Sequence, residues 1–213
     1  MGDSCGSHGC ASTSTEPQSA SYRRILWIAL WINAAMFGVE LIAGLQSRSV
    51  SLLADAVDFF GDAANYGLSL AVLGSALGLR ARAALLKGLC MGAFGVFVLG
   101  RAAWSFNAGV VPEPLTMGVV GALALAANVA VALMLYAWRE GDANMRSVWL
   151  CSRNDAIGNV AVMLAALGVV GTHAAWPDLA VAAVMGVLAL TASRSVVQHA
   201  LTEMRQPAHL DHA

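Results

Sequence analysis

An all-α membrane bundle of six transmembrane helices is the fold this sequence predicts, and three observations predict it. Hydrophobic residues make up 58% of the chain and charged residues only 12%, whereas a soluble domain needs about 25% charge to dress its surface. The apolar residues fall into six runs, each close to the ~20 residues that a span requires. The breaks between them are short and polar or proline-containing, which leaves no room for a large soluble enzyme domain. A net charge of -1 with few basic runs argues against nucleic-acid binding.

Residues 1–22 are small and polar, so they are expected to form a disordered cytoplasmic tail carrying Cys5, His8 and Cys10. Arg23 and Arg24 then open an apolar stretch that reaches Leu45. It is too long for a signal-peptide core and long enough to span. Further apolar runs follow at 51–78, 84–107, 115–138, 147–171 and 178–196. Gln46 to Arg48, the Arg80/Arg82 turn, Val111 to Pro114, Arg139 to Asp142 and His173 to Pro177 divide them. Residues 23–196 thus form the six-helix transmembrane domain, and 197–213 a short cytoplasmic tail with His199, His209 and His212.

Loop charge predicts orientation. Arg23, Arg24, Arg80, Arg82, Lys87, Arg139, Arg146, Arg194 and Arg205 fall on the side shared by the termini, and only Arg48 and Arg101 on the other. The positive-inside rule places both termini in the cytoplasm. The expected location is the cell (inner) membrane, crossed several times.

The acids within the spans carry the chemistry. A charge at the helix centre costs at least about 2.5 kcal/mol on insertion scales, so it persists where it has a task. Asp55, Asp58 and Asp62 are spaced i, i+3 and i+7, which puts their carboxyl groups on one face of the second helix. Cys151 and Asp155 repeat the i, i+4 spacing on the fifth. If those helices pack together, Asp58, Asp62, Cys151 and Asp155 supply the ligand number of a tetrahedral metal site. Carboxylates with one thiolate suit Zn²⁺ first, with Cd²⁺, Co²⁺, Ni²⁺ and Fe²⁺ as alternatives.

Blander readings compete. Asp58 and Asp62 could be buried acids satisfied by hydrogen bonds or by Arg153, and an isolated cysteine behaves as a small hydrophobe. Arg153 lies about 200° around the helix from Cys151 and so points away from the site, toward an acid such as Glu40 or toward the cytoplasmic end. Gly88, Gly92 and Gly95 give the third helix a small-residue face. That face serves either a homodimer contact or close packing within one protomer, with equal weight. The Cys/His tails are weak metal-capture candidates at most.

The runs Glu40-Leu-Ile-Ala-Gly44, Ser49-Val-Ser-Leu-Leu-Ala-Asp-Ala-Val-Asp-Phe-Phe-Gly-Asp62 and Ser147-Val-Trp-Leu-Cys-Ser-Arg-Asn-Asp-Ala-Ile-Gly-Asn159 closely resemble the cation diffusion facilitator family of metal exporters. Asn33 and Trp176-Pro177-Asp178 fit the same pattern, and the resemblance covers roughly residues 25–195. It implies six helices per protomer, a homodimer, and a divalent metal held between the second and fifth helices. It further implies export coupled to proton entry. Asp58 and Asp62 stand where the second helix supplies ligands and Asp155 at the acidic ligand of the fifth. Cys151 replaces the usual histidine or aspartate, and Asp55 takes an entry or supporting role. Relatives commonly continue into a soluble cytoplasmic domain, so a short form without that domain is expected, dimerising through the membrane.

The expected function is therefore proton-coupled efflux of a divalent transition metal by a secondary transporter with no permanent cofactor. Its partners are the metal ion, protons and the lipid bilayer. The chain has no GxxxxGK[ST] phosphate loop, which agrees with a motor-free mechanism. Intramembrane aspartyl proteolysis is disfavoured because Phe59-Phe60-Gly61 precedes Asp62 in place of a Gly-x-Gly element. A membrane metal sensor or scaffold that binds without transporting is the alternative.

Overall fold

The computed structural model describes residues 20–71, 77–138 and 143–205, and the side chains of 77–80, 138, 143–153 and 203 fall outside that description. Six helices follow in order: α1 Ala20–Ser47, α2 Val50–Ala71, α3 Leu77–Ala108, α4 Pro114–Leu135, α5 Ala143–Thr172 and α6 Trp176–Arg205. A 3₁₀ turn, Tyr136–Trp138, extends α4. The described residues contain no strand. Five of the helices are long and apolar enough to cross a membrane. The exception, α2, matches α4 at 22 residues but carries Asp55, Asp58 and Asp62. The helix least like a span by composition is thus the one that brings the acids.

Several helices run past their expected ends; α3 begins at Leu77 and α5 at Ala143, so the Arg80/Arg82 segment expected as a turn is helical. The first begins at Ala20, so residues 20–22 are helical instead of tail, and Tyr22 is fully buried with Leu26, Tyr66, Val131 and Leu135. The last continues beyond 196 to Arg205, with Ala200 buried on its inner side. Apolar run length follows the hydrocarbon layer, whereas the helix continues wherever one face still finds a packing partner. Cys5, His8, Cys10, His209 and His212 lie outside the described residues.

The helices pack most extensively as three pairs, α1 with α2, α4 with α5, and α3 with α6. The α3–α6 seam uses glycine. A Cβ on Gly88 would lie 2.8 Å from Val197 Cγ2, one on Gly92 2.7 Å from Ser193 Oγ, and one on Gly95 3.0 Å from Leu190 Cδ2. From the other side, a Cβ on Gly186 would meet Leu99 at 2.8 Å. Ser193 Oγ donates to the Gly88 carbonyl at 2.7 Å. The small-residue face of α3 is therefore spent on α6 within the protomer, which removes it as the dimer surface. Such close backbone approach gains dispersion energy that lipid tails do not supply.

Helix ends on one side of the bundle close with left-handed residues: Arg48 (φ 60°), Gly109 (φ 62°) and His173 (φ 50°) follow α1, α3 and α5. Glu113 caps α4, accepting from Leu115 N at 3.1 Å and Thr116 N at 2.8 Å, with Pro114 at the first helical position. Hydrogen bonds from Thr116 and Leu115 hold this exposed carboxyl below its ordinary range. Glu113 N in turn donates to the Ser47 carbonyl at 2.9 Å.

The same end holds a stronger clamp. Asp178, in the first turn of α6 and 1% exposed, accepts from Ser49 Oγ (2.8 Å), Val50 N (2.8 Å), Ser51 N (3.0 Å) and Ser51 Oγ (2.6 Å). One buried carboxylate thereby satisfies the open N–H groups of α2 and sits at the positive dipole ends of two helices. Ser49 Oγ completes the cap by accepting from Leu52 N at 3.2 Å. Asp178→Ala strands four donors, and at roughly 1–3 kcal/mol for a buried donor left unmade it is expected to lower the detergent-solubilised melting temperature by several degrees. An unchanged melting temperature would show that the clamp carries no stability.

Candidate metal site

The helical spacing of α2 turns its acids toward α5, whose Asp155 and Asn159 share a face by the same i, i+4 rule. Asp62, 7% exposed, and Asp155 lie within hydrogen-bonding reach of each other. Asp58 and Asp155 line one cavity of about 840 Å³, shared with Asn154 and with apolar side chains of α5 and α6 that include Ile157, Val184 and Leu188. Two carboxyl groups in contact need a proton or a cation between them to offset their repulsion. Facing helices therefore deliver a concentrated anionic centre against an otherwise apolar wall.

Three of the four expected ligands, Asp58, Asp62 and Asp155, are thus brought to one neighbourhood. The fourth, Cys151, falls on α5 one turn before Asp155, but its side chain is outside the described set, as is that of Arg153. Among the described residues, no three acid, thiol or imidazole side chains stand in metal-holding geometry. Tyr66 donates its hydroxyl to Asp62 Oδ2 at 3.2 Å. This bond fixes the carboxyl by an i+4 neighbour on the same helix.

A second polar layer lies one turn along α2. Asp55 accepts from Asn159 Nδ2 at 2.6 Å, and Asn159 Oδ1 accepts from Asn128 Nδ2 at 2.9 Å. Glu40 of α1 is fully buried beside Asp55, and neither of its oxygens receives a donor among the described residues. Helices α1, α2, α4 and α5 therefore converge through Glu40, Asp55, Asn128 and Asn159. Asp55 is thereby tied to α5 through Asn159. The sequence reading missed Asn128, although it is the lone amide in the apolar interior of α4.

The loop-charge count uses Lys87 only as one of the bases on the side shared by the termini. Lys87 is 8% exposed on α3 and donates to Asn65 Oδ1, one helical turn from Asp62 on α2. It is the single lysine of the chain; every other fixed positive side chain is arginine. That singularity was the available signal.

Comparison with known proteins agrees with this architecture. A family model described as the cation efflux transmembrane domain matches residues 26–76 and 79–204. The metal cation efflux system protein CzcD of Cupriavidus metallidurans is 25% identical over 179 residues, which cover 78% of this chain and 57% of that protein. The zinc transporter ZitB of Escherichia coli is 24% identical over 223 aligned positions, covering 96% of this chain and 70% of its own length. This chain thus spans little more than half the length of CzcD. With the family match running through all six helices, the chain belongs to the cation efflux family, the cation diffusion facilitators, as a multi-pass membrane protein.

Proposed function

We propose that the protein exports a divalent transition metal, Zn²⁺ first, across the cell membrane by exchange for protons, using Asp58, Asp62, Cys151 and Asp155 as its ligands. The observation that carries this reading is the meeting of α2 and α5 carboxyl groups at one cavity: Asp62 within reach of Asp155, and Asp155 with Asp58 on a common wall. Relatives named for metal cation efflux and for zinc transport support the same substrate class. The metal is cargo, and no resident cofactor is needed.

The proton coupling follows from ligand chemistry. Carboxylate and thiol ligands bind a metal only when deprotonated, so each ion that enters displaces protons, and protons arriving from the far side expel it. A cation between Asp62 and Asp155 replaces a proton in offsetting their repulsion. Cytoplasmic termini make the loading side the cytoplasm. A homodimer would form through lipid-facing surfaces other than the glycine face of α3.

Asp58→Asn and Asp155→Asn each remove a charged ligand while keeping shape, and they are expected to reduce proton-driven Zn²⁺ flux in proteoliposomes by at least about a hundredfold, with Zn²⁺ affinity weakened in parallel. Full flux in either variant would remove the ligand assignment. Wild-type binding without any flux would favour a sensor. Apparent Zn²⁺ affinity should fall as pH falls, by up to ~tenfold per pH unit for each proton displaced, and a flat profile would contradict exchange. Cys151→His exchanges a soft donor for a borderline one and is expected to shift preference from Cd²⁺ toward Zn²⁺. Co²⁺ absorption that is identical in both proteins would show that Cys151 is not a ligand.

A further inference from the structure

The two faces of α3 are built differently. Toward α6 it presents the glycine seam, in which backbone and side chains interlock with no space for a Cβ. Toward α2 it presents Lys87, Met91 and Phe94, spaced i, i+4 and i+7. These meet Asn65, Gly61 and Phe60 of the antiparallel neighbour: Lys87 Nζ donates to Asn65 Oδ1, Met91 Cε would lie 3.3 Å from a Cβ on Gly61, and the Phe60 and Phe94 rings sit 5.6 Å apart at 57°. Phe37 of α1 completes the aromatic group at 5.6 Å and 6.1 Å from those rings. Methionine and phenylalanine make an adaptable, slippery contact. The described polar link across this soft seam is Lys87, and it reaches the helix face that carries Asp62, one turn from Asn65.

We propose that Lys87 is an electrostatic latch that holds the rigid α3–α6 pair against α2 while the metal site is empty, and that a divalent ion arriving at Asp62 releases it. This inference rests on the ligand assignment proposed above. An ammonium held one helical turn from a carboxylate in an apolar bundle is attracted to it, and a doubly charged cation at that carboxylate cancels the attraction and repels the ammonium. The tight seam keeps α3 and α6 together, so the loss of the latch acts on the pair as a body. Site occupancy is thereby converted into freedom of two helices to shift along a greased contact. Lys87 touches no cargo, so it is a positioning residue.

The single lysine makes the test specific. A membrane-permeant amine-acetylating reagent, applied to the detergent-solubilised full chain with and without Zn²⁺ and read by peptide mass spectrometry, reports Lys87 alone among side chains. Acetylation of Lys87 is expected to be slow without metal and to rise at least severalfold with saturating Zn²⁺. Lys87→Gln, which keeps a donor for Asn65 but no charge, is expected to bind Zn²⁺ within a few-fold of wild type yet transport it roughly tenfold more slowly, and Lys87→Arg to restore the rate. Lys87 acetylation unmoved by Zn²⁺, in protein whose flux depends on Asp58, would overturn the latch and leave the ligand assignment standing. Wild-type turnover in Lys87→Gln would do the same, whereas flux that survives Asp58→Asn would overturn the assignment beneath both. If Lys87→Gln fails to fold, the acetylation measurement on wild-type protein decides.

Discussion

Burying carboxyl groups from several helices inside an apolar bundle is the constraint to which the rest of this structure answers. Glu40, Asp55, Asp62 and Asp178 are each at most 7% exposed, and an isolated charge in such surroundings is far too costly to keep. Three of them are compensated, each differently, while Glu40 receives no donor among the described residues. Asp178 collects four donors from the start of α2, Asp55 takes an amide from Asn159, and Asp62 has Tyr66, Asp155 and a nearby ammonium. The compensation is complete at Asp178 and least at Asp58, which receives no donor among the described residues and lines a cavity with Asp155. A fully satisfied carboxylate holds helices together, and a poorly satisfied one is available to a cation.

That gradient explains the division of labour among the seams. Where backbone meets backbone through Gly88, Gly92, Gly95 and Gly186, the contact is specific and stiff. Where α3 meets α2 through Met91 and Phe94, side-chain rotamers can yield. A transporter needs both kinds, because an ion must find a defined ligand set and then leave it. The outward faces of the helices stay apolar, with Trp31, Leu86, Phe106 and Leu133 well exposed, as expected where the solvent is lipid.

Much of this was legible in the residues. Apolar run length gave six helices, and the i, i+3 and i+4 spacings put Asp55, Asp58 and Asp62 on one face, because both depend on local periodicity alone. The helix ends were less legible: Tyr22 and Ala200 pack against residues distant in sequence, and no local pattern marks that burial. The glycine face of α3 was recognised as a close-contact surface, but its partner is a tertiary matter and turned out to be α6. Lys87 falls inside the third apolar run and enters the loop-charge count only as a marker of orientation. Its burial follows from Asn65 and Asp62 on another helix, which a loop-charge argument does not consult. Asn128 was legible as a lone amide, yet its role exists only through Asn159 and Asp55.

The Asp178 clamp has a geometric consequence. Because one carboxylate caps α2 from the first turn of α6, those two helix ends cannot separate without breaking four hydrogen bonds, so that end of the bundle acts as a pivot. Asn65, where α2 meets Lys87, lies 15 residues from Val50, a lever arm of about 22 Å at ~1.5 Å per residue. A rotation of about 5° at the pivot moves the far contact by about 2 Å, enough to part a hydrogen bond. If the proposed latch releases, the clamped end would set how far the other end moves, and an α2 one turn shorter would shorten that travel in proportion.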